Sequence, residues 1–407
     1  MLLPYFKKNP DESLNYCERR VNNGSRSNFT EQFLPRIGNP FTCEKFRLSA
    51  LAGTAENFRI YGELPMFCRE FFGDGRIYVH PELANYYPTL DIQPIDQEAV
   101  PTSSSRTVKL LPYPYYVKLC YPDRIGRVTR ELDERHIYSS LDITERFERI
   151  ASHHDASGKF AFMPERGGIL FSTRDGPKIG AVLREQRPVG KDVSSICCMI
   201  PGFSLFSADR DSLSDELLLL QLVNEKCGSV DKLEYILAEF CYPLIDVFFN
   251  CVTIEGIVPE MHSQNILFGF DDAWNLKAII IRDLESSDKD VTLMRRLGKT
   301  DTIRSYPFKC IDENQYNYAI KHSFMFDHKL GEYFIAELLE VVANGNESVF
   351  SGLCSEIKDY VARRYGHFIK DIGFFPPNGK WYKFKNVIVD RTLPERPYDI
   401  LDNPLFR

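Results

Sequence analysis

Apolar positions along the 407-residue chain change their rhythm partway through. Between Arg76 and Arg184 they come in short runs: Arg76 to Val79, Tyr115 to Cys120, Phe160 to Pro164, Gly168 to Ser172 and Ile179 to Arg184. Gly and Asp turns separate the last three, a pattern that predicts strands of an antiparallel sheet. One amphipathic helix, Ile143 to Ser152, interrupts the runs. From Asp211 onward helical spacing dominates. A helix over Asp211 to Lys226 is stopped by Gly228, and a second, capped by Ser229, carries Leu233, Ile236, Leu237, Phe240, Leu244, Val247, Phe248 and Cys251. Its near-continuous apolar face predicts a core helix, with a bend at Pro243. Residues 328–344 and 351–365 give two further helices, and Lys383 to Val389 a last strand. Residues 1–40 are polar and turn-rich and are expected to form an extended lead-in. The mixed spacing from Cys43 to Phe72 predicts no single element, and the charged stretch after Asp283 is expected to be a solvated face.

The chemistry concentrates where the second helix ends. Glu260-Met261-His262-Ser263-Gln264-Asn265 leads into the run Ile266 to Phe270; Asp271-Asp272 breaks it, and Leu276 to Ile281 follows, ending on Arg282-Asp283. Two β-branched and aromatic runs around an Asp-rich turn predict a β-hairpin. Antiparallel partners lie about 5 Å apart, so Asn265 and Asp283 should be neighbours, with Glu260, His262 and Gln264 beside them. Oxygen donors from Glu260, Asn265 and Asp283 suit Mg²⁺, and Arg282 and His262 suit phosphate. A second stretch, Thr102 to Thr107, sets three serines, two threonines and an arginine in six positions, a loop able to wrap phosphate or carboxylate oxygens. Lys118 follows within a strand-like run, similar to the strand lysine that nucleotide-binding folds use on phosphates.

Bulk properties narrow the classes. The net charge of -7 argues against a general nucleic-acid binder. No apolar run approaches a membrane span and no signal-peptide core is evident. Eleven scattered cysteines without a C-x-x-C spacing suit free thiols, hence the cytoplasm.

Taken together the two stretches resemble the siderophore synthetases that work independently of non-ribosomal peptide synthetases, the aerobactin synthetase family. The resemblance is carried by Ser103, Ser104, Arg106 and Thr107, then Lys118 and Arg130, and later Glu260, His262, Gln264, Asn265, Arg282 and Asp283. Smaller echoes are Pro164-Glu165, Leu183-Arg184-Glu185, and Lys385 with Arg391 and Asn403-Pro404-Leu405. The resemblance implies ATP and Mg²⁺ as cofactors and a cytoplasmic ligase that activates a carboxylate, citrate or a similar acid, as an acyl adenylate for transfer to an amine or alcohol. In that reading Arg106, Lys118, Arg130 and His262 are catalytic; Ser103, Ser104, Gln264, Asn265 and Arg282 join them on the nucleotide; Glu260, Asn265 and Asp283 take the metal. Small-molecule substrates are implied, with neither nucleic acid nor membrane as partner, and a homodimer is compatible with the reading. The implied fold is α+β, hand-like and multi-lobed, with a central antiparallel sheet and a helical C-terminal region around a kinase-like palm. The expected division is 1–75, a reduced N-terminal region; 76–205, the sheet with the Ser/Arg/Lys motif; and 206–407, the helical region with the hairpin.

The sequence departs from that family in one respect: it contains no His-Pro-x-His-Pro segment, and His80, before Pro81, is the alternative bearer of its role. Two other readings stay open. Val258 to Asn265 can be laid over the catalytic loop of antibiotic-type phosphotransferases, with Glu260 in the catalytic Asp position. A non-catalytic relative that binds a carboxylate is the other.

Overall fold

A computed structural model describes residues 2–23, 34–39, 42–125, 128–211, 215–227, 231–299, 310–312, 318–384 and 398–407. Its largest element is an eight-stranded antiparallel sheet, ordered Phe58–Gly62, Gly167–Ser172, Lys178–Glu185, Tyr115–Leu119, Thr107–Leu110, Ile92–Pro101, Phe46–Ala52 and Arg76–Val79. The strands Phe46–Ala52 and Phe58–Gly62 settle the stretch whose mixed spacing predicted neither type. Alternation explains the sheet's faces: Val117 and Leu119 sit in its apolar core, while Tyr116 and Lys118 point the other way, toward the rest of the chain.

The predicted hairpin is present. Ile266–Phe270 pairs antiparallel with Leu276–Ile281 from Ile266 opposite Ile281, and Asp271 closes the turn by accepting from the amides of Ala273 and Asn275. It anchors a second, five-stranded sheet with Val189–Gly190, Phe160–Phe162 and Cys198–Pro201. Phe160–Phe162 thus leaves the antiparallel set predicted for it and runs parallel to Leu276–Ile281. The run is apolar on both faces, which suits a buried strand in this sheet.

The helix Glu134–Ser152 joins the two halves. Asp133 caps it by accepting from the amides of Arg135 and His136, nine residues before the predicted start. Ile137 packs into the core of the large sheet, and Ile143, Phe147 and Ile150 into the C-terminal core. That second core is built on the continuous helical stretch Lys232–Glu255, whose Ile236, Phe240, Leu244, Val247, Phe248 and Cys251 are all buried. Each such side chain contributes about 1.5–3 kcal/mol. The stretch is long and apolar enough to cross a membrane by length and composition, a correction to the expectation of no such run, yet most of it is buried inside the protein. Pro243, where a bend is expected, stands in the first turn of Tyr242–Glu255, directly after a π-helical turn over Leu237–Cys241. Asp231 caps the stretch; the expected Gly228 stop and Ser229 cap lie outside the described residues.

Two expectations are corrected. Residues 1–40 are not an extended lead-in where described: Leu2–Lys8 and Ser13–Arg20 are helices whose Leu2, Leu3, Phe6 and Cys17 join the C-terminal core. The charged stretch after Asp283 is a solvated face only in part: Arg295 and Arg296 are exposed, but its described acids are not. Asp290 is fully buried, accepting from the Leu293 amide and pairing with His322, and Asp288 and Lys289 are buried beside it. Residues 300–309, with Arg304, lie outside the described residues, as do 385–397, with most of the predicted last strand. The described strand there is Lys380–Phe384, paired with Tyr398–Asp402.

Gly256 ends the Lys232–Glu255 stretch in the left-handed region, with φ 68°. A Cβ there would meet Met294 Cγ at 2.6 Å. Gly256→Ala is therefore expected to cost roughly 1–3 kcal/mol from backbone strain and overpacking. Thermal melting checks this, and an unchanged midpoint would show that the turn into the Glu260 loop tolerates a side chain.

Candidate active site

The cleft lies where the outward face of the large sheet meets the end of the hairpin. Thr102, Ser103, Ser104, Thr107, Tyr116 and Arg184 line it from the large sheet and its hydroxyl loop, Gln264, Asn265, Arg282 and Asp283 from the hairpin end, and Leu14 and Met163 complete it. The hydroxyl loop connects the strands Ile92–Pro101 and Thr107–Leu110 and holds itself by its own hydroxyls. Thr102 Oγ1 donates to Thr107 O (2.7 Å), Ser104 Oγ accepts from the Thr107 amide (3.2 Å), and Ser105 takes φ 59°.

Asp283 is the hub. It follows the last hairpin strand with φ 66° and ψ 53°, a left-handed conformation that Asp tolerates better than most residues. Its Oδ1 accepts from Lys118 Nζ at 2.6 Å and Arg184 Nη2 at 2.7 Å. Lys118 also donates to Glu285 Oε1 at 2.7 Å, and Arg184 to Glu165 Oε1 at 2.8 and 2.5 Å. Arg106 completes the chain of charges, 3.7 Å from Glu285, with Nη1 donating to the Arg130 carbonyl. Burial alone would raise both carboxyls. The cations overcome it: Lys118, Arg184 and Arg106 hold Asp283 well below the usual carboxylate range, and Lys118, His136 and Arg106 bring Glu285 to about 2. Arg130 makes no ion pair among the described residues; burial, then Arg106, lowers it to about 10.

The Glu260 loop is adjacent. The Arg282 amide donates to Asn265 O at 2.9 Å, so the predicted proximity of the two hairpin ends holds. Asn265 Nδ2 donates to Glu260 O and Ser286 Oγ, and Glu260 itself pairs with Lys329 at 2.8 Å. His262 Nδ1 accepts from the Gln264 amide at 3.2 Å, which leaves the proton of the neutral ring on Nε2. Burial pushes its pKa down to about 4, and Lys329 and Arg130 add to the shift. His262 is therefore neutral at pH 7 in the free protein and offers a hydrogen-bond donor there rather than the positive charge expected of it.

The structure thus brings Ser103, Ser104, Arg106, Lys118, Arg130, Gln264, Asn265, Arg282 and Asp283 to one cleft region, with His262 and Glu260 on its adjoining loop. Lys385 and Arg391 lie outside the described residues. His80 does not join: it is fully buried, bonded to Ile37 O and the Glu82 amide, and burial pulls it down to about 4. Glu285 was missed, although it lies two residues past Asp283; Arg184 entered the sequence reading only as a smaller echo of the family, and it lies two residues from Val182, which pairs with Lys118. For a metal, Glu285 adds to the expected donors: its Oε2 is buried without a partner among the described residues, while Asn265, whose Nδ2 faces the loop, keeps Oδ1 as its oxygen donor and Glu260 is paired with Lys329. Asp283, itself paired with Lys118 and Arg184, and Glu285 offer hard carboxylate oxygens that fit Mg²⁺.

The two neutral buried histidines give a pH prediction. Both His80 and His262 sit near 4 in the fold against 6.5 when exposed, so the unfolded chain binds more protons below 6.5. The stability they contribute is present above pH 6.5 and is lost as pH falls toward 4. Going from pH 7.5 to pH 5 should remove on the order of 1–2 kcal/mol per histidine, since each tenfold change in proton affinity is worth about 1.4 kcal/mol. Asp327, raised by burial to about 6, changes stability in the opposite sense over this range, so the check is urea denaturation at the two pH values of wild type beside His80→Phe and His262→Asn; a variant that keeps the wild-type pH dependence would mean that its ring is not held neutral.

The large antiparallel sheet set against a hairpin-bearing helical half is a fold shared with solved petrobactin and aerobactin biosynthesis proteins. Residues 80–200, which hold the hydroxyl loop, Lys118, Arg130 and Arg184, match the profile of the IucA / IucC family. The structure is similar to the petrobactin biosynthesis protein AsbB from Bacillus anthracis str. Sterne, with TM-score 0.71 and 15% identity, covering 97% of this chain and 75% of that one. It is also similar to ATP-bound aerobactin synthetase IucA from a hypervirulent pathotype of Klebsiella pneumoniae, with TM-score 0.67 and 16% identity, covering 99% and 79%. Aerobactin synthetase IucC from the same source gives TM-score 0.63 and 14% identity, covering 95% and 73%. A comparison with curated proteins finds no match. The resemblance read from the motifs, and the α+β fold it implied, are both borne out.

Proposed function

We propose that the chain is an ATP-dependent ligase that activates a carboxylic acid as an acyl adenylate, releasing pyrophosphate, and passes the acyl group to an amine or alcohol with release of AMP. The observation that carries this is the convergence of Arg106, Lys118 and Arg184 from the large sheet, Arg130 from the two-stranded sheet Tyr121–Ile125 and Val128–Arg130, and Arg282 from the hairpin end, in the region of Asp283 and Glu285. A carboxylate nucleophile is already an anion, so what the reaction requires is positioning and charge neutralisation. Arg130, free of an ion pair among the described residues, and the unengaged part of Arg282 would bind anionic oxygens. Ser104 and Gln264 would donate hydrogen bonds, and His262 would donate from Nε2. Asp283 and Glu285 would hold Mg²⁺, which would supply charge for the phosphate oxygens. Citrate or another polycarboxylate suits a site with so many cations. The ATP-bound neighbour supports the nucleotide. The ten cysteines whose side chains are described are free, which agrees with a cytoplasmic setting.

The phosphotransferase reading is weakened by Glu260, whose carboxylate is paired with Lys329 rather than free to act as a base. The test is incubation with MgATP, a panel of carboxylic acids led by citrate, and hydroxylamine as a generic acceptor. AMP, pyrophosphate and a hydroxamate are expected. ADP would transfer the assignment to a phosphotransferase, and absence of turnover with every acid would overturn the enzymatic reading.

A further inference from the structure

One charged side chain reaches the cleft from far away in sequence. Glu18, on the N-terminal helix Ser13–Arg20, is fully buried. One carboxylate oxygen accepts from the Ser103 amide at 2.8 Å, and the other from Arg282 Nη1. Its two partners belong to opposite walls, the hydroxyl loop and the hairpin end. Arg282 Nε donates to Gln264 O at 2.8 Å, so two of its nitrogens are fixed by protein while Nη2 has no hydrogen bond to the described residues, and the side chain lines the cleft.

The helix is firmly seated. Asn15 Oδ1 accepts from Tyr116 OH at 3.1 Å, Tyr16 OH donates to Asp209 at 3.0 Å, and Ser13 Oγ accepts from the Met199 amide at 3.1 Å. Leu14, one turn before Glu18, lines the cleft, whereas Glu18 does not. Its carboxylate therefore stands behind the lining, where it holds other groups in place.

We propose that Glu18 is a positioning residue of the nucleotide site, an inference that rests on the ATP reading above. A guanidinium that shares the cleft with Arg184 is repelled by like charge and has several rotamers to choose from. A buried carboxylate behind it fixes its plane and turns the remaining edge toward the ligand. The same carboxylate holds the Ser103 amide, and with it the loop whose hydroxyls face the cleft. The N-terminal helix is thus part of the active site, coupling its two walls.

The experiment is calorimetric titration of MgATP into the full chain as wild type, Glu18→Gln, Arg282→Ala and the double variant, with thermal melting to confirm folding. Glu18→Gln keeps the side-chain size but loses the charge. It is expected to weaken binding roughly tenfold, and Arg282→Ala is expected to cost much less in the Glu18→Gln background than in wild type. Such non-additivity is the signature of residues acting as a unit, which a merely structural role would not produce. Unchanged or tighter binding by Glu18→Gln, or additive losses, overturns the inference while leaving the ATP reading intact. Failure of the wild-type chain to bind MgATP overturns both.

Discussion

Asp283→Asn is expected to reduce ligase turnover by roughly 10²–10³-fold, the scale at which removal of one organising group in a preorganised site is felt. Asparagine is the informative substitution because position 283 has φ 66°, a conformation that Asn adopts readily and most side chains resist. Alanine would add backbone strain to the chemical change. The fold should survive the loss of charge: Lys118 keeps Glu285, and Arg184 keeps both contacts to Glu165. The Asp283 side chain also retains about a third of its exposure, 31%, so its pairs are partly screened and its contribution to stability is correspondingly modest. A melting midpoint within a few degrees of wild type, together with lost turnover, is the expected combination. A folded Asp283→Asn protein with full turnover would remove Asp283 from both metal and phosphate roles. Loss of the fold would instead show that the hub is structural first.

The sequence made some parts of this site legible for reasons that can be stated. The hairpin was readable because Ile266 to Phe270 and Leu276 to Ile281 are β-branched and aromatic runs around a turn built by Asp271, and a hairpin places its two ends together by geometry alone. Lys118 was readable because period-two alternation separates it from Val117 and Leu119. What stayed hidden depends on contacts between distant segments. The mixed spacing of residues 43–72 hides two strands whose partners, Arg76–Val79 and Gly167–Ser172, come later in the chain. Glu18 reads as one acid in a polar helix until Arg282 arrives from 264 positions away. Asp290 and Lys289 read as surface charges because their burial is compensated by His322 and Asp142, neither of which is near in sequence. A charged residue reveals its burial only through its partner, and partners in tertiary contact leave no local periodicity.

Lys118→Met should produce the largest stability change, and one with a distinctive dependence on pH. Lys118 is 1% exposed and pairs with Asp283 and Glu285 at once. Methionine matches its length and apolar stem, so the change is chiefly the loss of a cation between two carboxylates. Breaking a buried pair in this way costs about 3–5 kcal/mol, and the partial exposure of Asp283 puts the expected loss near the lower figure. In wild type the cations hold both carboxyls down, so their stabilisation is present above the unfolded pKa and is lost only as pH falls through the folded values, about 2 for Glu285. In the variant Arg184 and Arg106 still hold Asp283 down, while Glu285, left with His136 and Arg106 against burial and the Asp283 charge, rises above its unfolded value. That group contributes stability at low pH and loses it as pH rises. The difference between wild type and variant should therefore shrink from pH 7.5 to pH 5, as read by urea denaturation at both. Two neighbouring carboxylates released from a shared cation should also accept Mn²⁺ or Mg²⁺, so millimolar divalent metal should raise the melting midpoint of Lys118→Met more than that of wild type. A gap that is constant with pH and insensitive to metal would mean that Asp283 and Glu285 separate when Lys118 is removed. That outcome would also withdraw them as a metal-binding pair.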